Sequence, residues 1–256
     1  HYDADDRIHW KTAPKPTCSD SMLHYIFEDK RPASVKRSGT ALNEKEVAFD
    51  AADMVRIGKD VFYKRSPSAN YKGIRWLRKE FKDLRFHVMH FQNDFITHID
   101  VNLIPMSPPT AGSDGIVLIN QNHPPSASEM KLFTDNDWKI VFGPKPTTNK
   151  VSPVAVCSPN LNLNLLSLSP KCCIIEECEV PLYNQLEDLG FDVITCPFRT
   201  LNEYGGGIHC DTWDLRRDDE CKDYFPNQDY EIECKTEFAT PTNECWYTSD
   251  EISTRK

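Results

Sequence analysis

Three glycines, a histidine and a cysteine lie close together in the stretch of this sequence that is best suited to chemistry. Gly205-Gly206-Gly207 lets the backbone turn and approach another group closely, because glycine has no Cβ. Cys210 follows His209, and residues 212–215 alternate polar and apolar side chains, which predicts a short strand. A cysteine between a glycine-rich loop and a strand lies at the rim of a sheet, where a thiolate nucleophile is well placed. The alternative is a tight turn with a buried cysteine, since free cysteine is among the most often buried residue types.

Composition limits the classes of function open to this chain. Of its 256 residues, 39% are apolar and 27% are charged, which is typical of a globular protein. The net charge of −9 argues against a nucleic-acid-binding surface, and no apolar run approaches the roughly 20 residues that span a bilayer. The ten cysteines include no Cys-x-x-Cys pair, so zinc-finger spacing is absent. The chain begins with His1 and shows no signal peptide, and we interpret it as a processed product or a fragment.

A pattern of two strands, a helix and a returning strand recurs along the chain and predicts an α/β fold. Each unit contains a first strand, a second strand, an amphipathic helix and a third strand. The predicted first strands cover residues 52–57, 98–104 and 160–166, and the predicted helices begin at Ser68, Ser126 and Pro181. A fourth unit begins at Gly205 and has only its first strand. We therefore predict three ββαβ units and one half unit.

The first strand of every unit opens with a side chain capable of chemistry. Asp53 opens the first, and His98 with Asp100 opens the second; Cys157-Ser158 precede the third, and Cys210 opens the fourth. Strands in equivalent positions of repeated units direct their starts toward a common axis. The repeat therefore predicts that these residues converge on one central site.

Several motifs, in order over about residues 9–217, resemble the amidinotransferases. They are residues 10–17, residues 49–62, residues 70–76, His98-Ile99-Asp100, and residues 205–210 with Arg216-Arg217. The resemblance implies a pentein, which is an α/β propeller of five ββαβ units around a pseudo-fivefold central site. The ring is expected to be incomplete here, because the family has about one and a half further units before Trp10. We predict an amidinotransferase domain over residues 1–217 and an acidic, cysteine-containing tail over residues 218–256.

The resemblance also implies a covalent mechanism. Cys210 would attack the guanidinium carbon of L-arginine and release ornithine, and glycine would then accept the amidino group to give guanidinoacetate for creatine biosynthesis. His98 would transfer protons, Asp53 would hold the guanidinium, and Asp100 would bind it or orient His98. No metal or organic cofactor is implied. The implied partners are small-molecule substrates and a second copy of the chain in a homodimer, located in mitochondria or cytoplasm.

Two departures from the family pattern leave the amine acceptor open. His123 stands where the family has an arginine that pairs with the substrate carboxylate, and Cys157-Ser158 stand where it has two serines. The acceptor could instead be another amine, such as an inosamine phosphate, or water, as in an arginine deiminase-like hydrolase. A further alternative is an inactive, truncated pentein with an interaction role. His209 is predicted to be structural.

Overall fold

The computed structural model describes residues 11–17, 22–25, 40–66, 68–91, 98–147, 161–214, 217 and 221–230. A short antiparallel pair, β1 (Leu23–Tyr25) and β2 (Thr40–Leu42), precedes the repeated units. Among the helices of these described ranges, none has the length and apolar character needed to cross a bilayer.

The first repeated unit is a three-stranded sheet covered by one helix. It contains β3 (Met54–Ile57), β4 (Asp60–Lys64), α1 (Tyr71–Glu80) and β5 (Arg85–Met89). β3 runs antiparallel to β4, and β5 runs parallel to β4 because the helix lies between them in the chain. Asn70 caps α1 by accepting a hydrogen bond from the backbone N–H of Gly73, so the predicted cap at Ser68 is wrong.

Two more units repeat this topology. The second contains β6 (Leu103–Ser107), β7 (Gly115–Asn120), α2 (Ala127–Thr134) and β8 (Trp138–Gly143), and the third contains β9 (Leu166–Ser169), β10 (Cys172–Glu176), α3 (Val180–Asp188) and β11 (Asp192–Cys196). In each unit the first strand is antiparallel to the second and the third is parallel to it. A short helix, α4 (Arg199–Asn202), follows. The three predicted ββαβ units are therefore confirmed, and closure of a five-unit ring stays a prediction.

Turns, not strands, occupy the segments that precede β6 and β9. Each turn has a backbone hydrogen bond to the third residue before: Asn102 N donates to Ile99 O at 2.8 Å, and Asn164 N donates to Leu161 O at 3.0 Å. A matching bond of 3.1 Å precedes β3, from Asp53 N to Asp50 O, and one of 3.0 Å follows Cys210, from Thr212 N to His209 O.

These turns correct the predicted first strands of all four units. The predicted strands over 52–57, 98–104 and 160–166 begin only at Met54, Leu103 and Leu166, and residues 212–214 form no strand. The apolar–polar alternation comes instead from buried asparagines, since Asn162 and Asn164 are only 7% and 3% exposed. Asparagine favours such turns because its side chain can hydrogen-bond nearby backbone groups.

The second unit joins its two neighbours through opposite faces of its sheet. Successive side chains of a strand point to opposite faces. Accordingly Val117 and Ile119 of β7 enter one apolar cluster with residues of the first unit, while Leu118 enters another with residues of the third. β6 contacts both β3 and β9. Burial of each large apolar side chain contributes roughly 1.5–3 kcal/mol, so this packing holds the first strands of the units side by side.

Residues 221–230, which belong to the predicted tail, pack against the first two units. Phe225 is fully buried in their shared cluster and stacks on Trp138 with ring centroids 5.5 Å apart. Asp223 forms an ion pair with Arg85. A domain boundary at residue 217 stays a prediction.

Candidate active site

The turns before the first strands are bonded to one another, and this brings side chains of successive units together. Ile99 N donates to Ala52 O at 3.0 Å and joins the second unit to the first. His209 N donates to Asn164 O at 3.2 Å and joins the fourth unit to the third. These bonds place the start of the second unit beside that of the first, and the start of the fourth beside that of the third. The predicted convergence of all four unit starts, which includes Cys157-Ser158, stays a prediction.

Asp100 is the carboxylate at which these segments meet. It is 6% exposed, and its Oδ2 accepts hydrogen bonds from His209 Nδ1 at 3.0 Å, from Asn164 Nδ2 at 3.0 Å and from Cys210 Sγ at 3.3 Å. Its Oδ1 is buried without a hydrogen-bond partner among the described residues. Burial, the largest single effect, would raise the pKa of Asp100, but the hydrogen bonds from His209 and Cys210, together with the charges of His209 and His98, lower it. Asp100 is therefore an anion at neutral pH.

Cys210 is exposed as a residue, but its sulfur lies against Asp100. Its backbone N–H donates to Asn164 Oδ1 at 3.0 Å, which fixes the start of the side chain. Desolvation of the sulfur, followed by the negative charge of Asp100, raises the pKa of the Cys210 thiol to about 11. In the site without substrate the thiol is therefore protonated at neutral pH.

Asp53 is a second buried carboxylate, and it ends the turn before β3. It is fully buried, and its Oδ2 accepts hydrogen bonds from Ser66 Oγ at 2.5 Å and from Ser68 Oγ at 2.8 Å. Its Oδ1 has no hydrogen-bond partner within the described ranges. Burial raises the pKa of Asp53 to about 6, against the opposing effects of the two serines and the charge of His98.

His98 lies within electrostatic reach of both buried carboxylates. Its positive form lowers the pKa of Asp53 and of Asp100. Asn102 holds its backbone through a hydrogen bond of 2.7 Å from Nδ2 to His98 O. The side chain is 38% exposed, so it can also exchange protons with solvent. This placement suits a group that transfers protons.

The other predicted binding residues are placed less completely. His123 lies in the turn after β7, where its backbone N–H donates to Asn120 O at 3.0 Å. Cys157 and Ser158 lie outside the described residues. The substrate-binding roles of these three residues stay predictions.

Sequence reasoning missed two contacts of this site. His209 was predicted to be structural, and it hydrogen-bonds Asp100. Asn164 was assigned to a strand, and its side chain joins Asp100 to the Cys210 loop. A signal for Asn164 was present, because the segment Ile99-Asp100-Val101-Asn102 has the same spacing as Leu161-Asn162-Leu163-Asn164.

A cavity of about 350 Å³ borders this site. Its walls come from β3, from β6 and from residues 165–170, and Asp100 and His209 lie on its surface. The described residues contain no cluster of three or more histidine, cysteine or acidic side chains arranged to hold a metal ion.

The glycine loop before Cys210 is adapted to its position, and Gly207→Ala tests this. Gly205 and Gly206 have φ values of +110° and +98°, which favour glycine. At Gly207 an added Cβ would lie 2.7 Å from Asn164 Oδ1. We expect Gly207→Ala to lower the free energy of unfolding by about 1–3 kcal/mol, measured by urea titration. Gly112→Ala is the matched control, because its Cβ would meet no atom of the described residues within 4 Å. Equal stability of the two variants would contradict this account.

Known proteins resemble the chain over most of its length. No protein-family model matches it. It is 33% identical over 222 residues to the mitochondrial glycine amidinotransferase of Gallus gallus, which covers 84% of this chain and 50% of that protein. It is 31% identical over 217 residues to the L-arginine:L-lysine amidinotransferase of Pseudomonas savastanoi pv. phaseolicola, covering 84% of this chain and 57% of that protein. The chain thus spans about half the length of the curated relatives it matches.

Solved structures agree with the sequence comparison. An amidinotransferase of the saxitoxin biosynthetic pathway of Microseira wollei superposes with a TM-score of 0.72 at 31% identity, covering 83% of this chain and 58% of that one. The inosamine-phosphate amidinotransferase of Streptomyces griseus superposes with a TM-score of 0.65 at 27% identity, covering 83% of this chain and 57% of that one. Over the part of these proteins that it spans, this chain is similar in sequence and in fold to the amidinotransferases.

Proposed function

We propose that the chain carries the covalent half of an amidinotransferase site with L-arginine as donor. The observation that supports this most is the pair of buried carboxylates, Asp53 and Asp100. Each has an Oδ1 without a hydrogen-bond partner among the described residues, and the Cys210 thiol touches one of them. A guanidinium group carries five N–H donors and one positive charge, so it would supply donors to such acceptors and would balance one of the two negative charges.

The proposed reaction consists of two balanced steps. In the first, Cys210 Sγ forms a bond to the guanidinium carbon of arginine. The bond from that carbon to Nε, which becomes the side-chain amine nitrogen of ornithine, then breaks. The proton of the thiol ends on this departing amine. In the second, the amine of the acceptor attacks the amidino carbon, the S–C bond breaks, and a proton of the acceptor returns to the thiol. His98 is the proposed carrier of the proton in both steps, because its charge acts on both carboxylates and its side chain is partly open to solvent.

The substrate itself would activate the thiol in this mechanism. The negative charge of Asp100 helps to keep the thiol protonated in the empty site. An arriving guanidinium would neutralise that charge and lower the pKa of Cys210, so the nucleophile would form only when the donor is bound. A thiolate protected in this way reacts less with other electrophiles.

We propose glycine as the acceptor, on the basis of the similarity to glycine amidinotransferase. Lysine and an inosamine phosphate are the competing acceptors, since relatives named for them are 31% and 27% identical to this chain. A homodimer, and a location in mitochondria or cytoplasm, are proposed from the family resemblance of the sequence, and the name of the chicken relative supports mitochondria. His123, Cys157 and Ser158 are proposed to contribute to substrate binding.

Intact-protein mass spectrometry after incubation with arginine alone tests the proposal. We expect the full 256-residue chain to gain one amidino group and to release ornithine. Cys210→Ala should abolish the gain, and Cys178→Ala, which removes another exposed thiol, should preserve it. Citrulline in place of ornithine would indicate a hydrolase. A folded sample that forms no adduct would exclude the covalent step for this chain and would favour the inactive pentein.

If an adduct forms, its acceptors can be compared directly. Glycine, lysine and an inosamine phosphate are each added to the isolated adduct, and loss of the amidino group is followed by mass. We expect glycine to remove it fastest, and faster removal by another amine would replace glycine in the proposal.

A further inference from the structure

Asn164 was not predicted to be a site residue, but its side chain makes three hydrogen bonds within the site. Its side chain is 3% exposed. Nδ2 donates to Asp100 Oδ2 at 3.0 Å, while Oδ1 accepts from Gly207 N at 3.1 Å and from Cys210 N at 3.0 Å. A carboxylate on one side and two N–H groups on the other fix the orientation of the amide, because only this orientation satisfies all three partners.

The chemistry of these contacts requires an amide. An aspartate at this position would accept from the two backbone N–H groups but could not donate to Asp100, and it would place a second negative charge there. A smaller side chain would leave two buried N–H groups without an acceptor, which costs about 1–3 kcal/mol each. The backbone of Asn164 is itself fixed by its bond to Leu161 O and by the bond from His209 N. The amide is therefore a rigid link between two units.

We propose that Asn164 is a positioning residue, which holds the Cys210 sulfur and the Asp100 carboxylate in register for the incoming guanidinium. The inference rests on the proposed function and adds to it the contribution of the third unit. The Cys210 loop and Asp100 belong to different units. Apart from Asn164, they are joined among the described residues by the hydrogen bond from His209 Nδ1 and by the longer contact from Cys210 Sγ to Asp100 Oδ2.

The link also affects the charge balance around the sulfur. Asp100 raises the pKa of Cys210, whereas hydrogen bonding by the Asn164 side chain and by the backbone of Gly207 lowers it. Among the described residues, His209 also contacts Asp100 through a hydrogen bond, and the charge of His98 acts on Asp100 through space. Replacing the amide of Asn164 by a carboxylate should therefore raise the pKa of the Cys210 thiol.

Asn164→Asp distinguishes positioning from a merely structural role. The rate at which iodoacetamide alkylates Cys210 is measured by peptide mass spectrometry between pH 7 and pH 9. This range lies below the pKa of the thiol, so the rate is proportional to the fraction of thiolate. We expect the variant to react at least about tenfold more slowly, which corresponds to a rise of one pKa unit. If Asn164 only supported the loop, the loosened thiol would become more accessible and would react faster, and that result would overturn the proposal.

Asn162→Asp is the matched control. Asn162 lies in the same segment and is 7% exposed, and its side chain donates to Pro144 O at 2.8 Å, with no bond to Asp100 or Cys210 among the described contacts. We expect this variant to lose stability but to leave the Cys210 alkylation rate within about twofold of the original chain. An equal slowing in both variants would show a general effect of added charge and would also overturn the proposal.

A swap keeps the inference testable if Asn164→Asp folds poorly. Combining it with Asp100→Asn restores one carboxylate and one amide at the same two positions, with the hydrogen bond reversed. We expect the double variant to unfold at a higher urea concentration than Asn164→Asp alone, and a swap that is no more stable contradicts direct coupling. Alkylation and unfolding need no arginine chemistry, so failure of the adduct experiment with these results intact would reject the proposed function and not the link.

Discussion

Replacing Asp100 by asparagine is expected to change two reactions of Cys210 in opposite directions. Alkylation of the thiol should become faster, because the carboxylate that helps to raise the pKa of Cys210 to about 11 is gone. Formation of the amidino adduct from arginine should become much slower, because the guanidinium loses a buried anionic partner. An asparagine of the same shape can keep the bonds from His209 and Cys210, so the geometry of the site should survive.

The expected size of the two effects follows from burial. Removing one member of a buried ion pair costs about 3–5 kcal/mol, which corresponds to a loss of about 10²–10⁴-fold in the rate of adduct formation per molar arginine. A fall of one pKa unit in the thiol would increase alkylation about tenfold at pH 8. A substitution that merely damaged the fold would not accelerate one reaction of the sulfur and suppress the other.

The measurement uses the same protein sample for both reactions. Adduct formation is followed by intact mass at several arginine concentrations, and alkylation is followed on the Cys210 peptide. Asp211→Asn is the matched control, since Asp211 is next in sequence and exposed, and solvent screens its charge. Unchanged adduct formation in Asp100→Asn would remove Asp100 from guanidinium binding. Slower alkylation would show that Asp100 acts as a base toward the thiol and not as the group that keeps it protonated.

The repeat of ββαβ units was predictable because each strand and helix has its own hydrophobic pattern. β7 is a short continuous apolar run that is buried on both faces, and α1 has its apolar residues at the 3.6-residue spacing that burial on one face requires. The repeat also predicted that Asp100 and Cys210 would lie near each other, and the structure brings them into contact. Their catalytic roles stay predictions until they are tested.

The starts of the first strands were not predictable from the same spacing. Alternating leucine and asparagine residues at 160–166 have the period of a strand, but asparagine can satisfy its polar atoms inside a turn. Whether such a side chain points to solvent or to a neighbouring unit depends on how the units pack, and local sequence does not contain that information. The contacts of Asn164 and His209 with Asp100 are of this kind, because Asn164 and His209 lie 64 and 109 residues from it in the chain.

Replacing Asp53 by asparagine is expected to remove a pH-dependent loss of stability. The pKa of Asp53 is about 6 in the folded chain against an ordinary value of 3.8, so between these pH values the folded state binds more protons than the unfolded state. The free energy of unfolding therefore falls as pH rises through this window, by about 1.4 kcal/mol for each pKa unit or about 3 kcal/mol in total. The free energy of unfolding of Asp53→Asn, relative to that of the original chain, should therefore rise by about 3 kcal/mol between pH 4 and pH 7.

Urea unfolding at a series of pH values measures this difference. The comparison between variant and original chain cancels the titration of other groups, including Asp100, whose lowered pKa has the opposite effect on stability. Asp188→Asn is the control, because its exposed carboxylate meets solvent in both states and the difference from the original chain should not change with pH. A constant difference for Asp53→Asn as well would show that Asp53 is not a strained, buried anion.

The same carboxylate should control the pH dependence of the reaction with arginine. Binding of a guanidinium needs Asp53 in its ionised form, so adduct formation should rise with pH through about 6 in the original chain. The Asp53→Asn variant should lose that rise and react roughly 10²–10³-fold more slowly, since it lacks the charge that pairs with the substrate. A carboxylate that binds a ligand is buried at a cost in stability and gains its partner only when the ligand binds. A structural carboxylate has its partners within the fold. If Asp53→Asn instead forms the adduct at the original rate with the original pH profile, Asp53 is structural, and Asp100 alone must hold the guanidinium.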